Sequence, residues 1–130
     1  MVFIMETICG LAHFGLYVND MEVSKKFYTE ILGFQIAFET NQEGGPHLCF
    51  LRNGNCEVEL IARPGAQLPD GHFDHLCLRV TDIEAAVAHL KKHGIATEFP
   101  IREMPQVYQG IRMVMFRGPD GEHLEFNEFC

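Results

Sequence analysis

Two histidines and two glutamates occupy equivalent places in the two halves of the sequence. His13 and His75 each stand in an apolar stretch typical of a strand, and their numbers differ by 62. Glu59 and Glu125 each lie where charged and apolar residues alternate, as on a half-buried strand. Since successive strand residues point to opposite faces, both glutamates point away from their aliphatic neighbours. Two carboxylates and two imidazoles on one desolvated face need a divalent cation to neutralise them, which predicts a metal site.

The spacing belongs to a duplication of the whole chain. The segment VNDMEV at 18–23 aligns with VTDIEA at 80–85, and Gly33, placed to end the first helix, aligns with Gly94. A period of about 62 residues in only two copies is not that of a solenoid. We therefore predict one domain over residues 1–130, with module one at about 10–64, a connector at about 64–71 and module two at about 72–130.

Module one is predicted as a strand, a helix and three strands, and module two begins in the same way. Capping-box spacing at Asn19 and Glu22, and again at Thr81 and Glu84, marks the two helix starts. Each helix should cover the aliphatic face of its sheet, so the polar residues share the uncovered face. The predicted elements are strands at 11–18, 34–39, 47–52 and 57–63 around a helix at 21–32, then a strand through His75, a helix ending near 93, an extended stretch at 95–100, a loop at 101–110, a strand at 111–117 and an alternating stretch after the turn at 118–121.

The composition excludes several classes of partner. A net charge of -8 and a pI near 5.2 argue against nucleic acid and anionic membranes, because phosphate binding needs clustered Lys and Arg. Neither a signal-peptide pattern nor an apolar run of about 20 residues is found. The five cysteines form no C-x-x-C pair, so we expect free thiols in a reducing cytoplasm. Small molecules or protein partners remain.

Other titratable residues lack the repeated placement. Glu57 competes with Glu59 because it shares the same face, but Glu59 directly precedes LIARP and is preferred. His89 and His93 are predicted to be exposed on a helix. The residues left as candidate neighbours of the pocket are His72, His123 and Cys77.

The sequence resembles the vicinal oxygen chelate superfamily, which contains glyoxalases, bleomycin-resistance proteins and extradiol dioxygenases. Four segments carry the resemblance: LAHFGLYVNDMEVSKKFYTEILGF, VELIARP, FDHLCLRVTDIEAAVAHLKKHG and FRGPDGEHLEFNE. The resemblance implies an α+β fold of two tandem βαβββ modules that form a curved mixed sheet around a metal-binding cup. It also implies that the metal is held by one residue from the first and last strand of each module. Those residues are His13, Glu59, His75 and Glu125.

This ligand set is most similar to that of glyoxalase I, lactoylglutathione lyase, which isomerises the hemithioacetal of methylglyoxal and glutathione. The resemblance implies one divalent ion per site, Zn or Ni first, with Co, Mn and Fe as alternatives. In such a site the metal stabilises an enediolate while a glutamate moves the proton between adjacent carbons. By resemblance Glu125 is the catalytic base, and Glu59 is a ligand and candidate second base.

Two departures concern the substrate. Glutathione-dependent relatives have Arg four residues after the first ligand His and Asn four residues after the first ligand Glu, where this chain has Tyr17 and Arg63. Glutathione recognition therefore does not follow from the resemblance, and another thiol adduct or vicinal-oxygen substrate is an alternative. Arg79 shares the face of His75 and is expected to bind an anionic group. Tyr17, Arg63 and Arg79 are thus candidate substrate contacts.

The loop at 101–110 is long enough to cover the mouth of the cup, with Met104 and Tyr108 as apolar cover, although a plain connection is the alternative. Relatives of this length imply a homodimer in which each site takes one module from each subunit. Two kinds of alternative to a lyase remain: another enzyme of the same superfamily, namely an epimerase, a thiol transferase or a dioxygenase, and a non-catalytic protein that sequesters a small molecule, of bleomycin-resistance type. Methylmalonyl-CoA epimerase is the relative with similar proton abstraction, but its first carboxylate position is commonly Gln.

Overall fold

The computed structural model describes residues 11–71 and 73–130 and contains two four-stranded mixed sheets. The predicted α+β class and tandem modules are confirmed, with a separate sheet for each module. His72 and Cys9 lie outside the described residues, in which the other four cysteines are free. The elements are β1 (Phe14–Val18), α1 (Met21–Lys26) continued by a π-helix (Phe27–Ile31), β2 (Gln35–Asn41), β3 (His47–Asn53), β4 (Cys56–Ala62), β5 (Leu76–Arg79), α2 (Ile83–Lys92), β6 (Arg102–Met104), β7 (Ile111–Arg117) and β8 (His123–Phe129).

The two sheets have the same topology. Their strand orders are β1-β4-β3-β2 and β5-β8-β7-β6, and the first strand of each module pairs in parallel with the last. A parallel neighbour cannot be reached by a tight turn, so each helix lies within the crossover that the topology requires. In the parallel pairs Gly15 is opposite Glu59, and Cys77 is opposite Glu125. Residues opposite one another share a face, so both glutamates lie on the face that carries the first-strand polar residues.

The apolar residues that flank the two glutamates are buried, as predicted. Val58 and Leu60, on either side of Glu59, are fully buried, as is Leu124 beside Glu125. These apolar faces pack with α1, the π-helix and α2 in one core cluster that includes residues of both modules, such as Tyr28, Leu90 and Phe116. The sheet faces that carry the glutamates are therefore left uncovered by the helices.

The first helix begins at residue 21 as predicted, but each N-cap lies one residue later than the predicted capping box placed it. Asp20 and Asp82 are the N-caps, and their side chains accept hydrogen bonds from the amides of Val23 (3.2 Å) and Ala85 (3.0 Å). Asn19 was the predicted first cap, but its side chain donates instead to Asp120 at 3.0 Å. Within 11–71 and 73–130, no helix is long and apolar enough to cross a bilayer.

The second strand of module two lies further along the chain than predicted. Residues 95–100 make no strand, and their backbone contact with β7 is a single hydrogen bond from the Glu98 amide to the Met115 carbonyl, at 2.8 Å. Pro100 has no amide hydrogen to donate to a ladder. The pairing strand is β6, inside the predicted loop, so Met104 is a strand residue opposite Ile111.

The turn between β7 and β8 joins the two modules. Tyr28, which is fully buried, donates a hydrogen bond from its hydroxyl to Oε2 of Glu122 at 2.9 Å. Oε1 of Glu122 accepts from the Asp120 amide at 2.8 Å. A Cβ at Gly118 would lie 2.3 Å from Cδ of Glu122, so a side chain there would displace Glu122 from these two hydrogen bonds. The helix of module one thereby anchors the turn from which β8 and Glu125 continue.

Candidate metal centre

The predicted pair of module one is in contact. His13 directly precedes β1, and its Nε2 lies 3.1 Å from Oε1 of Glu59 on β4. Phe50 is opposite Glu59 on β3 and meets the His13 ring edge-on, with ring centroids 5.4 Å apart. The side chain of Glu59 is 16% exposed, so this carboxylate is largely withdrawn from water.

The equivalent pair of module two has the same geometry. Nε2 of His75, directly before β5, lies 3.1 Å from Oε1 of Glu125 on β8. Glu125 is buried, and Cys77 on the neighbouring strand forms a hydrogen bond with its carboxylate. Burial, together with the negative charge of Glu125, raises the pKa of the Cys77 thiol to about 12. Cys77 therefore stays protonated at neutral pH and donates its hydrogen to Glu125.

Asp74 orients His75 from the other side of the ring. Its Oδ2 lies 2.6 Å from Nδ1 of His75, and this hydrogen bond holds the pKa of Asp74 below its usual range. Because an ionised carboxylate can only accept, Nδ1 carries the hydrogen and the Nε2 lone pair faces Glu125. Such a carboxylate–imidazole arrangement is typical of histidines that ligate metals.

His123 is a further neighbour of this pair. Its ring meets the His75 ring at 6.3 Å between centroids. Nε2 of His123 is buried and lies 3.0 Å from Oε1 of Glu98, without the alignment of a hydrogen bond. The ring therefore packs beside the pair and does not contact Glu125 within hydrogen-bond distance.

The donor atoms fit a divalent metal. The imidazole nitrogen and carboxylate oxygen of each pair lie 3.1 Å apart, close enough for both to bind one ion. Among the described residues, no Lys or Arg lies within ion-pair distance of Glu59 or Glu125, whereas Glu57 pairs with Arg52 at 2.7 Å. Two withdrawn carboxylates thus lack a protein cation, and imidazole with carboxylate suits Zn, Ni, Co, Mn or Fe.

The two pairs lie on different sheets. Each supplies one nitrogen and one oxygen, and within the part of the chain that the structure describes, no three His, Cys, Asp or Glu side chains are grouped to hold a metal ion. A single chain therefore presents two separate His–Glu pairs, one per module, and each pair with its strands is called a half-site below.

In each module an arginine and an aromatic ring lie four residues after the histidine and the glutamate of the pair. In module one Arg63 stacks on Tyr17, with Cζ 4.7 Å from the ring centroid. In module two Arg79 stacks on Phe129, at 3.4 Å. Four of the predicted substrate residues thus fall in these two groups or next to them, since Tyr108 packs edge-on against Phe129 at 5.6 Å. Met104 lies on β6, two strands away from β8.

Tyr108 is 80% exposed and has a positive φ of 51°, unusual for a residue with a side chain. It helps to line a cavity of about 530 Å³ with Gln109, Gly110, Phe129 and Cys130. A second cavity, of about 450 Å³, lies where β1, the connector and the β7–β8 turn meet, and His75 is part of its wall. Neither of these two cavities is lined by Glu59 or Glu125.

Sequence reasoning did not assign the roles of Asp74 and Asn127. Asp74 is adjacent to His75 in the chain, so an acid directly before a ligand histidine was the available signal. Asn127 holds Arg79 by accepting a hydrogen bond from its Nε at 2.6 Å, and it follows Glu125 on the same face of β8. Strand parity predicts that face for Asn127, whereas its contact with Arg79 is visible only in the structure.

Comparison with known proteins agrees with this architecture. The Escherichia coli K12 protein named "Uncharacterized protein YaeR" is 36% identical over 124 residues, covering 89% of this chain and 93% of that protein. A mouse mitochondrial methylmalonyl-CoA epimerase is 33% identical over 95 residues, covering 65% of this chain and 53% of the epimerase. A glyoxalase family protein from Enterococcus faecalis has a similar crystal structure, with a TM-score of 0.75 and 31% identity over 92% of this chain and 98% of that one.

A family model described as Glyoxalase/Bleomycin resistance protein/Dioxygenase superfamily matches residues 10–126. The match covers His13, Glu59, His75 and Glu125. The chain belongs to the Glyoxalase/Bleomycin resistance protein/Dioxygenase superfamily.

Proposed function

We propose that this protein is a metal-dependent enzyme of glyoxalase I type, which moves a proton between adjacent carbons of a hemithioacetal or similar vicinal-oxygen substrate. The observation that carries the proposal is the pair of matching His–Glu contacts, each at 3.1 Å and each lacking a Lys or Arg partner among the described residues. A sequestering protein has no need of two withdrawn carboxylates. Burying an ionisable side chain lowers the stability of the fold, and such side chains are concentrated at functional sites.

The proposed metal ligands are His13, Glu59, His75 and Glu125. A divalent ion in this site would act as a Lewis acid toward the two vicinal oxygens of the substrate. Glu125 takes the proton from the first carbon and returns it to the second, because it is buried and its position is fixed by His75 and Cys77. Glu59 is the second ligand carboxylate and the candidate base on the opposite side.

We propose further that two chains share each site, as a homodimer. Each chain supplies one complete half-site per module, so module one of one subunit facing module two of its partner would bring four ligands together. Aromatic side chains on the open faces support this arrangement. Phe38, opposite Phe50 on the face of Glu59, is 60% exposed, and Phe129 on the face of Glu125 is 51% exposed.

An epimerase that moves a proton next to a thioester carbonyl is the second candidate. It is favoured by the 33% identity to the mouse methylmalonyl-CoA epimerase. The chemistry at Glu125 would be the same for both reactions, since each removes a proton from carbon next to a carbonyl. The two differ in the substrate and in whether the proton returns to the same carbon.

The experiment is an assay of the purified protein before and after metal removal. We expect one divalent ion per site, loss of hemithioacetal isomerisation on chelation, and recovery with Zn, Ni, Co, Mn or Fe. Glu125→Gln should abolish turnover, while Glu43→Gln, on an exposed turn, should not. Deuterium exchange of a branched acyl thioester in D2O, without hemithioacetal turnover, would favour the epimerase. A protein that takes up no metal and turns over neither substrate would contradict the enzymatic proposal.

A further inference from the structure

Asn53 is the last residue of β3 and is directly followed by a glycine. Residues 54 and 55 form the turn to β4, and Asn53 is paired with Cys56 across that turn. Of the asparagines in the chain, Asn53 alone precedes Gly, whereas the others precede Asp, Gln, Cys or Glu. A glycine has no Cβ to hinder a reaction between its amide nitrogen and the preceding side chain. Asn53 is therefore the asparagine of this chain with the most reactive neighbour.

The amide of Gly54 is available as a nucleophile. Gly54 has a φ of 59°, and a Cβ built on it would meet no atom within 4 Å. Among the described residues, the Gly54 nitrogen finds no acceptor for a hydrogen bond. Asn53 and Gly54 are both exposed, so water and hydroxide reach the two groups that would react.

The side chain of Asn53 holds the end of the module-one helix. Its Nδ2 donates to the carbonyl oxygen of Leu32 at 3.2 Å. Leu32 is the C-cap of the π-helix, and the last carbonyls of a helix have no partner within the helix itself. Gly33, with a φ of 76°, then turns the chain away from the helix. The Asn53 amide thus fastens the β3–β4 turn to the helix end.

This contact lies beside the junction of the two modules. Asn53 and Leu32 line a cavity of about 560 Å³ together with Leu78 and His89 of module two. His89, on α2, donates from Nε2 to the carbonyl oxygen of Ile31 at 2.8 Å. Because Ile31 directly precedes Leu32, loosening the helix end would also disturb this contact between the modules.

We propose that Asn53 is a site of spontaneous deamidation, and that its conversion detaches the β3–β4 turn from the module-one helix. The Gly54 nitrogen loses its proton to hydroxide and forms a bond to Cγ of Asn53. The bond from Cγ to Nδ2 breaks, and this nitrogen takes a proton from water and leaves as ammonia. One water molecule then opens the cyclic imide at either carbonyl, which gives aspartate or isoaspartate.

Either product removes the contact with the helix. An ionised carboxylate can only accept hydrogen bonds, so it cannot donate to the Leu32 carbonyl, and its charge is unfavourable beside the negative end of a helix. Isoaspartate also adds a methylene group to the backbone next to the pairing with Cys56. The inference is independent of the proposed reaction, because Asn53, Gly54 and Leu32 belong to neither His–Glu pair.

The test stores the purified protein at mildly alkaline pH and physiological temperature and follows it by tandem mass spectrometry. Trypsin cleaves after Arg52, so the peptide that begins at Asn53 also contains Asn55, which is exposed in the same turn. We expect Asn53 to gain the mass of an amide-to-acid conversion while Asn55 keeps its amide. The rate should rise with pH, because the attacking nitrogen must lose its proton. Isoaspartate should be found among the products.

Two variants test the consequence for stability. Asn53→Asp should lower the urea midpoint of unfolding by about 0.5 M, the size expected for one lost hydrogen bond. Asn55→Asp is the matched control, because it adds the same charge to the same turn, and within the described chain the Asn55 side chain has no hydrogen bond to lose. An Asn53 that keeps its amide during storage, or an Asn55 that converts as fast, would overturn the proposed site. Equal midpoints for the two variants would overturn the proposed detachment.

Discussion

Oδ2 of Asp74 lies 2.6 Å from Nδ1 of His75, on the ring edge away from the Nε2 that faces Glu125. This contact keeps the hydrogen on Nδ1 and leaves the lone pair of Nε2 available to bind a metal. Asp74→Ala should therefore weaken metal binding by about 10- to 100-fold. Competition with a coloured chelator measures the change. Glu43→Ala, which removes the same charge from an exposed turn, should bind metal as the wild type does. Unchanged affinity in Asp74→Ala would mean that the contact does not support ligation.

Shared sites predict that two inactive variants restore one another. Glu59→Gln damages the half-site of module one and Glu125→Gln that of module two, so a mixed dimer has one site with both carboxylates intact. With random pairing, co-expression should recover roughly one quarter of the wild-type activity. If both carboxylates of a site came from the same subunit, the mixture would stay inactive. Differently tagged chains allow the mixed dimer to be isolated and assayed alone.

The hydroxyl of Tyr28 should stabilise the junction between the modules. Burial and the negative charge of Glu122 raise the pKa of Tyr28, so the phenol stays protonated and donates to that carboxylate. Tyr28→Phe leaves Glu122 without this donor and should lower the free energy of unfolding by about 1–3 kcal/mol, as measured in urea. Tyr108→Phe is the control, because Tyr108 is 80% exposed. Equal stability of the two variants would contradict a structural role for the contact.

Glu39 should make stability depend on pH on the acidic side. A hydrogen bond from His47, at 2.7 Å, and the ion pair with Lys25 hold the pKa of Glu39 below its ordinary value of 4.5. The unfolded chain then binds more protons at Glu39 than the folded chain does. The contribution of Glu39 is therefore present above pH 4.5 and is lost as the pH falls through the lower folded-state pKa.

Urea unfolding of Glu39→Gln at several pH values checks this. The difference in stability between wild type and variant should be largest near neutral pH and should shrink below pH 4.5. Glu43→Gln supplies the comparison for the general effect of removing one negative charge. A difference that is constant over the whole pH range would show that titration of Glu39 does not contribute.

The N-cap of the first helix and the position of β6 show the limit of predicting structure from local sequence patterns. Asp20 and Asn19 are both good caps, and the choice between them depends on Asp120, which is 101 residues from Asn19 and binds its side chain. Similarly, the extended stretch at 95–100 has the residues of a strand, but the ladder with β7 forms at β6 instead. Local propensity is too small to decide between such neighbours when a distant partner is available.

The sequence by itself determined the α+β fold, the duplication and the faces of Glu59 and Glu125, because alternation and periodicity are local properties of the chain. The tertiary structure decided what those faces meet. It placed each glutamate 3.1 Å from its histidine, put the two pairs on separate sheets, and brought Asp74 to His75 and Asn127 to Arg79. Which side chains come into contact depends on strand pairing and register between residues as far apart as His75 and Glu125, and a one-residue slip would reverse every face.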